Sequence, residues 1–228
     1  MKRWAWIIGV LLVSLGVPFL IPVERNPAAT DQHLPWQIEV DAQGRSRVFG
    51  LAPGVSTLAE ARQALGKDFE LAIIAAPEEL GALEAYQAQV PLGFVLARVI
   101  LTLEVEPAAL EAIRSRAVKA EYMESTTRKI TLHAEDVQRA EQFRIGSIAV
   151  IPNASLDEAT LIARFGQPAE RIPVSETLTH LLYPALGLDV VVDAKGKEVL
   201  QYVAPGDFAR LRAPLVASAA NGASAEGR

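Results

Sequence analysis

The sequence predicts an α+β fold, in which helices pack on antiparallel β-meanders. Two observations lead to this fold class. Alternating apolar and polar residues mark several short strands between turn residues, and capped segments with apolar residues at helical spacing lie between them. A third observation, a long apolar run near the N-terminus, predicts one transmembrane helix in front of the folded part.

The composition limits the classes of function. The chain has 228 residues, of which 50% are hydrophobic, so it can form a packed core of one or two domains. Its net charge is −5, which argues against nucleic-acid binding because a phosphate backbone requires a basic surface. The chain has no cysteine, which excludes disulfides, thiolate metal sites, a cysteine nucleophile and a lipid-modified N-terminal cysteine.

The N-terminal segment, residues 1–23, is predicted to be a transmembrane anchor or a signal peptide. Lys2 and Arg3 precede an uncharged apolar run over residues 4–23, which is about 30 Å long as a helix and matches the hydrocarbon core of a bilayer. A cleaved signal peptide has a shorter apolar region and a small-residue cleavage site. We favour the uncleaved anchor, because the run is long and the nearest small pair, Ala28-Ala29, follows a proline.

The charges flanking this run predict the topology of the chain. The positive-inside rule keeps the N-terminus cytoplasmic and places the C-terminus in the periplasm of a bacterium, as a single-pass protein of the inner membrane. Cleavage would instead release the protein into the periplasm. Residues 24–35 are polar and contain two prolines, which is typical of a linker.

The first predicted half spans residues 36–145 and begins with a hairpin and a helix. The hairpin turn at residues 41–44 ends in Gly44, which suits a left-handed position. Ser56 or Thr57 caps the helix, and Glu60 stands at capping-box spacing from Thr57. The predicted strands are 36–40, 45–51, 70–76, 92–106 (one or two strands) and 129–132, and the predicted helices are 57–65, 107–120 and 134–143.

The second predicted half spans residues 146–212 and contains a helix followed by a meander. Ser155 and Glu158 form a second capping box, and Gly166 ends the helix. The Ala-, Ser- and Gly-rich residues 213–228 predict a disordered tail. The predicted strands are 145–151, 177–183, 187–193 and 197–203, and the predicted helix is 156–165.

An internal similarity suggests that the two halves are related. The segment Glu39–Gly54 aligns with Val191–Gly206 without a gap, and seven of the sixteen positions are identical. Most identities are turn residues, so convergence on hairpin chemistry is the alternative explanation. The unbroken register through the turn and the Ala-Pro-Gly stop favours duplication.

The titratable residues do not predict an active site, a metal site or a cofactor site. His33 lies in the linker, His133 precedes acidic residues at a predicted helix start, and His180 lies in a predicted strand. Turn positions explain Asp41 and Asp193 without catalysis. The acidic pairs Glu78-Glu79 and Glu135-Asp136 are interpreted as solvated faces. We therefore expect no enzymatic activity.

Apolar surface offers a route to partner binding. Residues 92–103 are largely apolar, with Arg98 as the charged exception. Most of this run is expected in the core, and any exposed remainder is a candidate partner site. The edges of the predicted sheet offer a second route, because an edge strand can accept a strand from another chain.

Part of the second half resembles a known family. The carrying motifs are Ala154-Ser155-Leu156 with Glu158, Phe165-Gly166-Gln167-Pro168, Tyr183, Gly187–Asp193 and Gly196-Lys197-Glu198-Val199. They resemble the small periplasmic modules of outer-membrane assembly lipoproteins (SmpA/OmlA, or BamE-like). The resemblance implies a helix layer on an antiparallel sheet and a binding or scaffolding role without catalysis. This chain lacks the lipidated cysteine of that family, so an inner-membrane anchor would replace outer-membrane tethering.

Together these observations predict a membrane-anchored envelope protein whose periplasmic part binds or scaffolds another envelope protein. The alternative is a small-molecule or lipid-binding envelope module, which requires an apolar cavity of several hundred Å³. A hydrolase ranks last and requires His133 or His180 beside a carboxylate in a pocket. The expected partners are an envelope protein and the inner membrane through residues 4–23, and nucleic acid is not expected.

Overall fold

The computed structural model describes residues 33–123 and 126–226, with side chains through residue 218. This part of the chain forms a ten-stranded antiparallel sheet, a two-stranded hairpin and five α-helices, which confirms the α+β class. The strands are β1 (Glu39–Val40), β2 (Ser46–Arg47), β3 (Glu70–Ala75), β4 (Ala82–Leu92), β5 (Val95–Leu103), β6 (Lys119–Tyr122), β7 (Arg128–Thr131), β8 (Ile145–Pro152), β9 (Glu170–Pro173), β10 (Leu178–Tyr183), β11 (Leu188–Asp193) and β12 (Val199–Val203). The helices are α1 (Leu58–Leu65), α2 (Pro107–Ser115), α3 (Ala134–Ala140), α4 (Glu158–Phe165) and α5 (Phe208–Glu226).

The predicted transmembrane segment lies outside the described residues. Among the helices that the structure does describe, none is both long enough and apolar enough to cross a membrane.

The large sheet joins two meanders through one central strand. Its order is β6-β7-β3-β4-β5-β8-β12-β11-β10-β9, and all neighbours are antiparallel. Strand β8 pairs with β5 on one side and with β12 on the other. The sequence places the boundary between the halves at residue 145, which is the first residue of β8. The two predicted halves therefore share one sheet.

Helices α1 to α4 pack on one side of this sheet, which we call the inner face. Each helix contributes buried apolar residues to the same core as the strands, because its apolar residues recur at helical spacing. The inner-face strand residues alternate with residues of the opposite, outer face. The core includes Leu58, Leu110, Ala140 and Leu161 from the helices and Leu83, Val99, Leu101, Ile148, Val150, Leu188, Val190 and Leu200 from the strands.

The helix starts show which capping predictions hold. The Thr57 side chain accepts a hydrogen bond from the Glu60 amide, and the Glu60 carboxylate accepts one from the Thr57 amide, so the predicted capping box is confirmed. Helix α4 instead begins two residues later than predicted. Asp157 caps it by accepting a bond from the Thr160 amide at 2.7 Å, so the prediction of Ser155 as the cap is wrong.

Several element boundaries differ from the prediction. The apolar run from residue 92 is divided by a turn at Gly93, so that β4 ends and β5 begins within it. Strand β4 escaped prediction because a β-bulge between Gln87 and Val90 breaks its alternation. Helix α2 ends at Ser115, five residues early, and the chain continues as the short strand β6.

Helix α5 extends through residues 213–226, which differs from the disordered tail expected for residues 213–228. Leu211 and Leu215 lie one turn apart and pack against a small cluster that includes Ile172 and Phe208. Alanine, which dominates the tail, is also the best helix former. The composition that suggests disorder is therefore compatible with a helix once its apolar side chains find a surface.

The stretch before β1 is fixed to the core by one buried tyrosine. Tyr202 is 1% exposed, and its hydroxyl donates to the backbone carbonyl of Pro35 at 2.8 Å. Its ring meets the ring of Phe49 edge-on, with centroids 5.7 Å apart. Leu34 and Pro35 are buried next to this contact, so the predicted linker (24–35) already belongs to the fold at its last two residues.

Candidate protein-binding surface

The outer face of the sheet is half covered by the protein's own C-terminal helix. Phe208, Leu211 and Leu215 of α5 pack on the outward-pointing residues of β9, β10 and β12, namely Ile172, Leu182 and Val203. The strand order places these residues at the β9 end of the sheet. Helix α5 therefore shields that end of the outer face from water.

A bidentate ion pair holds α5 to the edge strand. The Arg212 guanidinium donates to both carboxylate oxygens of Glu170 on β9, at 2.6 and 2.7 Å. These hydrogen bonds lower the pKa of the Glu170 carboxyl and raise the pKa of Arg212. The planar guanidinium fits a carboxylate in this geometry, so the pair also sets the direction of the helix.

The other half of the outer face has no helix over it within the described residues. We call it the open face and define it by the outward residues of four adjacent strands. Two ladder rows cross it, one made of Tyr86, Ile100, Ala149 and Gln201 and the other of Glu84, Thr102 and Ser147. With Arg98, Ile151 and Val199, which share this face by alternation, they complete the open face.

The open face is mixed in polarity and partly accessible. Tyr86 is 38% exposed, and the apolar residues Ile100 and Ile151 are half-buried although no helix among the described residues lies on them. The inward neighbours Val99 and Val150, by contrast, are fully buried. Covering apolar area that is in contact with water lowers the free energy, so this face favours contact with another surface.

Glu84 stands out electrostatically on the open face. Burial raises the pKa of its carboxyl above the ordinary value, because desolvation disfavours the charged form. Its ladder neighbours on either side are the uncharged residues Ala72 and Thr102. A cation or hydrogen-bond donor placed over Glu84 would therefore relieve the cost of its charge.

His180 and Asp189 form a buried pair at the border between the covered and open halves. The Nδ1 atom of His180 lies 2.8 Å from Oδ2 of Asp189, and the two residues are 8% and 1% exposed. The other carboxylate oxygen, Oδ1, is buried without a hydrogen-bond partner in the described part of the chain. Asp189 lies directly beside Gln201 of the open face in the ladder.

This pair is the closest arrangement to the hydrolase hypothesis, since it places a predicted histidine beside a carboxylate. Nucleophilic catalysis needs a hydroxyl or thiol within hydrogen-bond reach of the histidine. Across the ladder, His180 instead faces Val191 on one side and Ile172 on the other. The geometry is that of a paired strand histidine, which is the structural interpretation expected from the sequence.

The structure does not bring the other histidines to this surface. His133 is exposed and caps α3, where its Nδ1 accepts a hydrogen bond from the Glu135 amide, as expected for a residue at a helix start. His33 is exposed in the N-terminal stretch, with a positive φ of 66°. Neither histidine approaches a cluster of other ligands, and the described residues hold no group of three or more His, Asp or Glu that could bind a metal.

Asp41 and Asp193 have the predicted turn roles. Oδ1 of Asp41 accepts from the Gln43 amide at 2.9 Å, and Oδ1 of Asp193 accepts from the Lys195 amide at 3.0 Å. The Arg45 amide, which also donates to Asp41, is the main cause of the lowered pKa of this carboxyl, and the Gln43 amide adds to the effect. The two carboxylates lie in separate turns and do not form a catalytic pair.

The interpretation of Glu135-Asp136 as a solvated pair is wrong for Asp136. Asp136 is 1% exposed, and its carboxylate accepts hydrogen bonds from the Arg116 guanidinium at 2.6 and 3.3 Å. It also accepts a longer bond of 3.5 Å from Arg139. The Arg116 guanidinium compensates the buried charge and links the end of α2 to α3. Glu135, Glu78 and Glu79 are exposed, as predicted.

A small cavity lies beside the first hairpin. Its volume is about 170 Å³, and it is lined by Glu39, Asp41, Arg45 and Arg47 among others. Ligand sites for small molecules are typically about 300–1,000 Å³ and mostly apolar. This cavity is smaller than the apolar cleft that the alternative function requires.

Comparison with family models, with curated proteins and with solved structures finds no match to this chain.

Sequence reasoning missed the open face because it missed one of the four strands that build it. Strand β4 supplies Glu84 and Tyr86 but was not predicted. Strand β5 was predicted, and its alternation already separates buried Val99 and Leu101 from half-exposed Ile100. That alternation within residues 95–103 is the signal that marks one face of the run as accessible.

Proposed function

We propose that this chain is a non-enzymatic, membrane-displayed envelope protein whose folded part binds a partner protein through the open face. The observation that carries the proposal is the unequal covering of one sheet face. Helix α5 covers the β9 end with apolar side chains, whereas strands β4, β5 and β8 present half-buried apolar residues to water. A second element of the same chemistry would complete the layer.

The partner that fits this surface is an amphipathic helix of another envelope protein. Helix α5 provides the example, since its residues at positions i, i+3 and i+7 lie on the adjoining part of the same face. Four strands at about 4.8 Å spacing span about 14 Å, which about 10 helical residues would cross. A helix in a groove is a common mode of peptide recognition.

The polar residues of the open face would orient this helix. Glu84 offers a desolvated carboxyl at one side of the surface, and Arg98 lies on the next strand. A lysine or arginine of the partner over Glu84 would gain a hydrogen bond to a charged group. Such bonds give orientation and specificity, while the covered apolar area supplies most of the affinity.

Display at the inner membrane would raise the effective concentration of this surface near membrane partners. The apolar run at residues 4–23 would anchor the chain, with Lys2 and Arg3 in the cytoplasm and the fold in the periplasm. The body after residue 23 carries 20 basic and 27 acidic residues, so anionic headgroups would repel it. The open face would therefore be free for a protein rather than held against lipid.

Cross-linking within cells tests the proposal directly. A photoreactive amino acid is placed at Ile100 or Ile151 on the open face of the full-length protein, and at exposed Ala163 on α4 as the matched control. We expect a discrete protein adduct at the first two positions and not at Ala163. Mass spectrometry of the adduct should locate the contact in an amphipathic helix.

A charged substitution separates binding from folding. Ile100→Lys should abolish the adduct at Ile151 while the circular dichroism spectrum stays unchanged, and Ala163→Lys should change neither. A cross-link to residues 4–23 of the same chain would contradict the proposal, because the protein's own apolar segment would then cover the face. Adducts formed only with lipid would favour the lipid-binding alternative instead.

We also infer that the two hairpins arose by duplication. In the gapless alignment, the pair Glu39 and Arg47 corresponds to the pair Val191 and Val199, and both pairs face each other across their strands. The turn bonds of Asp41 and Asp193 also correspond. The first hairpin stands apart as a two-stranded sheet, however, while the second is part of the large sheet.

A further inference from the structure

One edge of the large sheet is unprotected within the described residues. Strand β6 ends the sheet, and all four of its residues are exposed. The apolar residues along it are among the most exposed in the described structure, with Val118 at 67%, Tyr122 at 77% and Met123 at 48%. An exposed edge with apolar side chains is a template for another strand.

The opposite edge of the sheet is protected in two ways. Strand β9 ends in Pro173, which has no amide hydrogen to donate. Arg212 of α5 also binds the first residue of β9, Glu170, so the helix lies against this edge. The two edges of the sheet therefore differ in how accessible they are to another strand.

The backbone of β6 is oriented for pairing at its free side. The amide of Met123 donates to the carbonyl of Thr127 at 2.9 Å, toward the hairpin partner. Because successive peptide groups alternate, the amide and carbonyl groups of Tyr122 and Ala120 point to the free edge. Before β6 begins, the chain bends at Val118, and the Val118 amide donates to the carbonyl of Thr131 on the side of β7. The free edge is therefore limited to the residues of β6.

We propose that β6 pairs antiparallel with β6 of a second copy of this chain, about a twofold axis that passes through Ala120. In this register Lys119 faces Glu121 of the second copy, and the reciprocal pair forms by symmetry. The exposed side chain of Val118, just before β6, then comes close to Tyr122 of the second copy, so that two exposed apolar side chains can cover each other. The segment is thus self-complementary in both charge and hydrophobicity.

The charges select this register over its neighbours. A twofold axis at Lys119 would place the two lysines opposite each other, and an axis at Glu121 would oppose the two glutamates. Like charges directly opposite on a sheet are destabilising, whereas unlike charges contribute favourably. In one chain Lys119 and Glu121 pair with each other at 2.5 Å and both remain exposed, so the exchange to partners across the axis costs little.

This pairing would join the sheets of both copies. The paired residues lie on the same face in the two copies, so both helix layers would stand on one side and both open faces on the other. The interface is separate from the open face, and so the dimer can form whether or not that face binds a partner.

Charge reversal tests both the partner and the register. The full-length protein is studied in non-ionic detergent by sedimentation velocity over a range of concentrations, and wild type should form dimers. Lys119→Glu and Glu121→Lys should each weaken the dimer about tenfold or more, because two attractive pairs become two repulsive ones. An equimolar mixture of the two variants should restore dimers, since the mixed pair again opposes unlike charges.

The double variant Lys119→Glu with Glu121→Lys should also dimerise like wild type. Monomeric wild type at all concentrations, or single variants that dimerise unchanged, would overturn the proposal. Failure of the mixture to associate would overturn the register. These variants change exposed side chains, so loss of the fold is not an alternative explanation when the circular dichroism spectrum is unchanged.

Disulfide trapping gives an independent measurement. The chain has no cysteine, so Ala120→Cys introduces a single thiol on the proposed axis. Residues directly opposite in an antiparallel pair have Cα atoms about 4.5–5.5 Å apart, which a disulfide can bridge. Oxidation should yield a covalent dimer with this variant but not with Ala163→Cys on α4. Equal yields from both variants would contradict the proposed axis.

Discussion

The hydroxyl of Tyr202 provides a sharp prediction about stability. Tyr202→Phe removes one oxygen from a ring that is 1% exposed and leaves the carbonyl of Pro35 without its donor, which now lies at 2.8 Å. The ring itself is kept, so no cavity forms. A buried acceptor that loses its partner costs about 1–3 kcal/mol, and we expect a loss near 1.5 kcal/mol at pH 7.

The same substitution should change the alkaline behaviour of the protein. Burial raises the pKa of Tyr202 well above its ordinary value of 10.0. Above about pH 10 the unfolded state therefore releases a proton that the folded state keeps, and wild type loses about 1.4 kcal/mol of stability per pH unit from this group. Tyr202→Phe lacks this loss, so the difference between variant and wild type should shrink to about zero near pH 11.

Urea unfolding of the full-length protein in non-ionic detergent, followed by circular dichroism at pH 7 and at alkaline pH, measures both effects. Tyr86→Phe is the control, because Tyr86 is 38% exposed on the open face and its change should stay within about 0.5 kcal/mol. A loss below about 0.5 kcal/mol for Tyr202→Phe at pH 7 would refute the role of the hydrogen bond. A stability difference that persists at high pH would refute the assignment of the alkaline effect to Tyr202.

Two further predictions concern turns and the C-terminal helix. Gly187→Ala should lower the melting temperature far more than Gly206→Ala, because an added Cβ would lie 2.1 Å from the carbonyl oxygen of Val203 at the first position and meets nothing within 4 Å at the second, where φ is also not positive; similar shifts would refute this reasoning. Arg212→Ala should raise the pKa of Glu170 toward its ordinary value, measured by NMR titration, and should speed hydrogen exchange in α5 at neutral pH. The lowered pKa of Glu170 means that this contribution is present at neutral pH and is lost as the pH falls through the folded-state pKa, so the wild-type and variant exchange rates should converge in acid.

The local rules of sequence reading predicted the elements whose signals are self-contained. The capping box of Thr57 and Glu60 is a two-residue signal, and the structure reproduces both of its hydrogen bonds. The meander of β10, β11 and β12 follows from alternation between turn residues, and it also appears as predicted. In each case the residues that decide the structure lie within a few positions of one another.

The elements that sequence reasoning missed depend on distant contacts. Strand β6 looks like the end of a helix, but it is held as a strand by pairing with β7. Asp136 looks solvated beside Glu135, and only the approach of Arg116 across twenty residues explains its burial. The composition after residue 213 predicts disorder, but in the structure Leu215 packs against the cluster that includes Ile172. Tertiary contacts override local preference at each of these sites.

The candidate surface could also be predicted only in its local part. The sequence shows the alternation within residues 95–103 and hence that one side of this strand is accessible. Which strands lie beside it is not visible, because β5 pairs with β8 more than forty residues away along the chain. The open face and the buried pair of His180 and Asp189 therefore emerged only once the strand order was known.

The central position of β8 has a consequence for the way the protein is made. When the chain is synthesised from its N-terminus, β8 can dock on β5 as soon as residue 152 has emerged, but its other side waits for β12, which ends at residue 203. During that interval a long apolar strand has one row of unsatisfied backbone groups open to any other chain. Truncated or stalled chains that lack β12 would keep the unpaired edge of β8 exposed to other chains. The final quarter of the chain supplies β12, which pairs the free side of β8 and removes this aggregation-prone edge from the middle of the sheet.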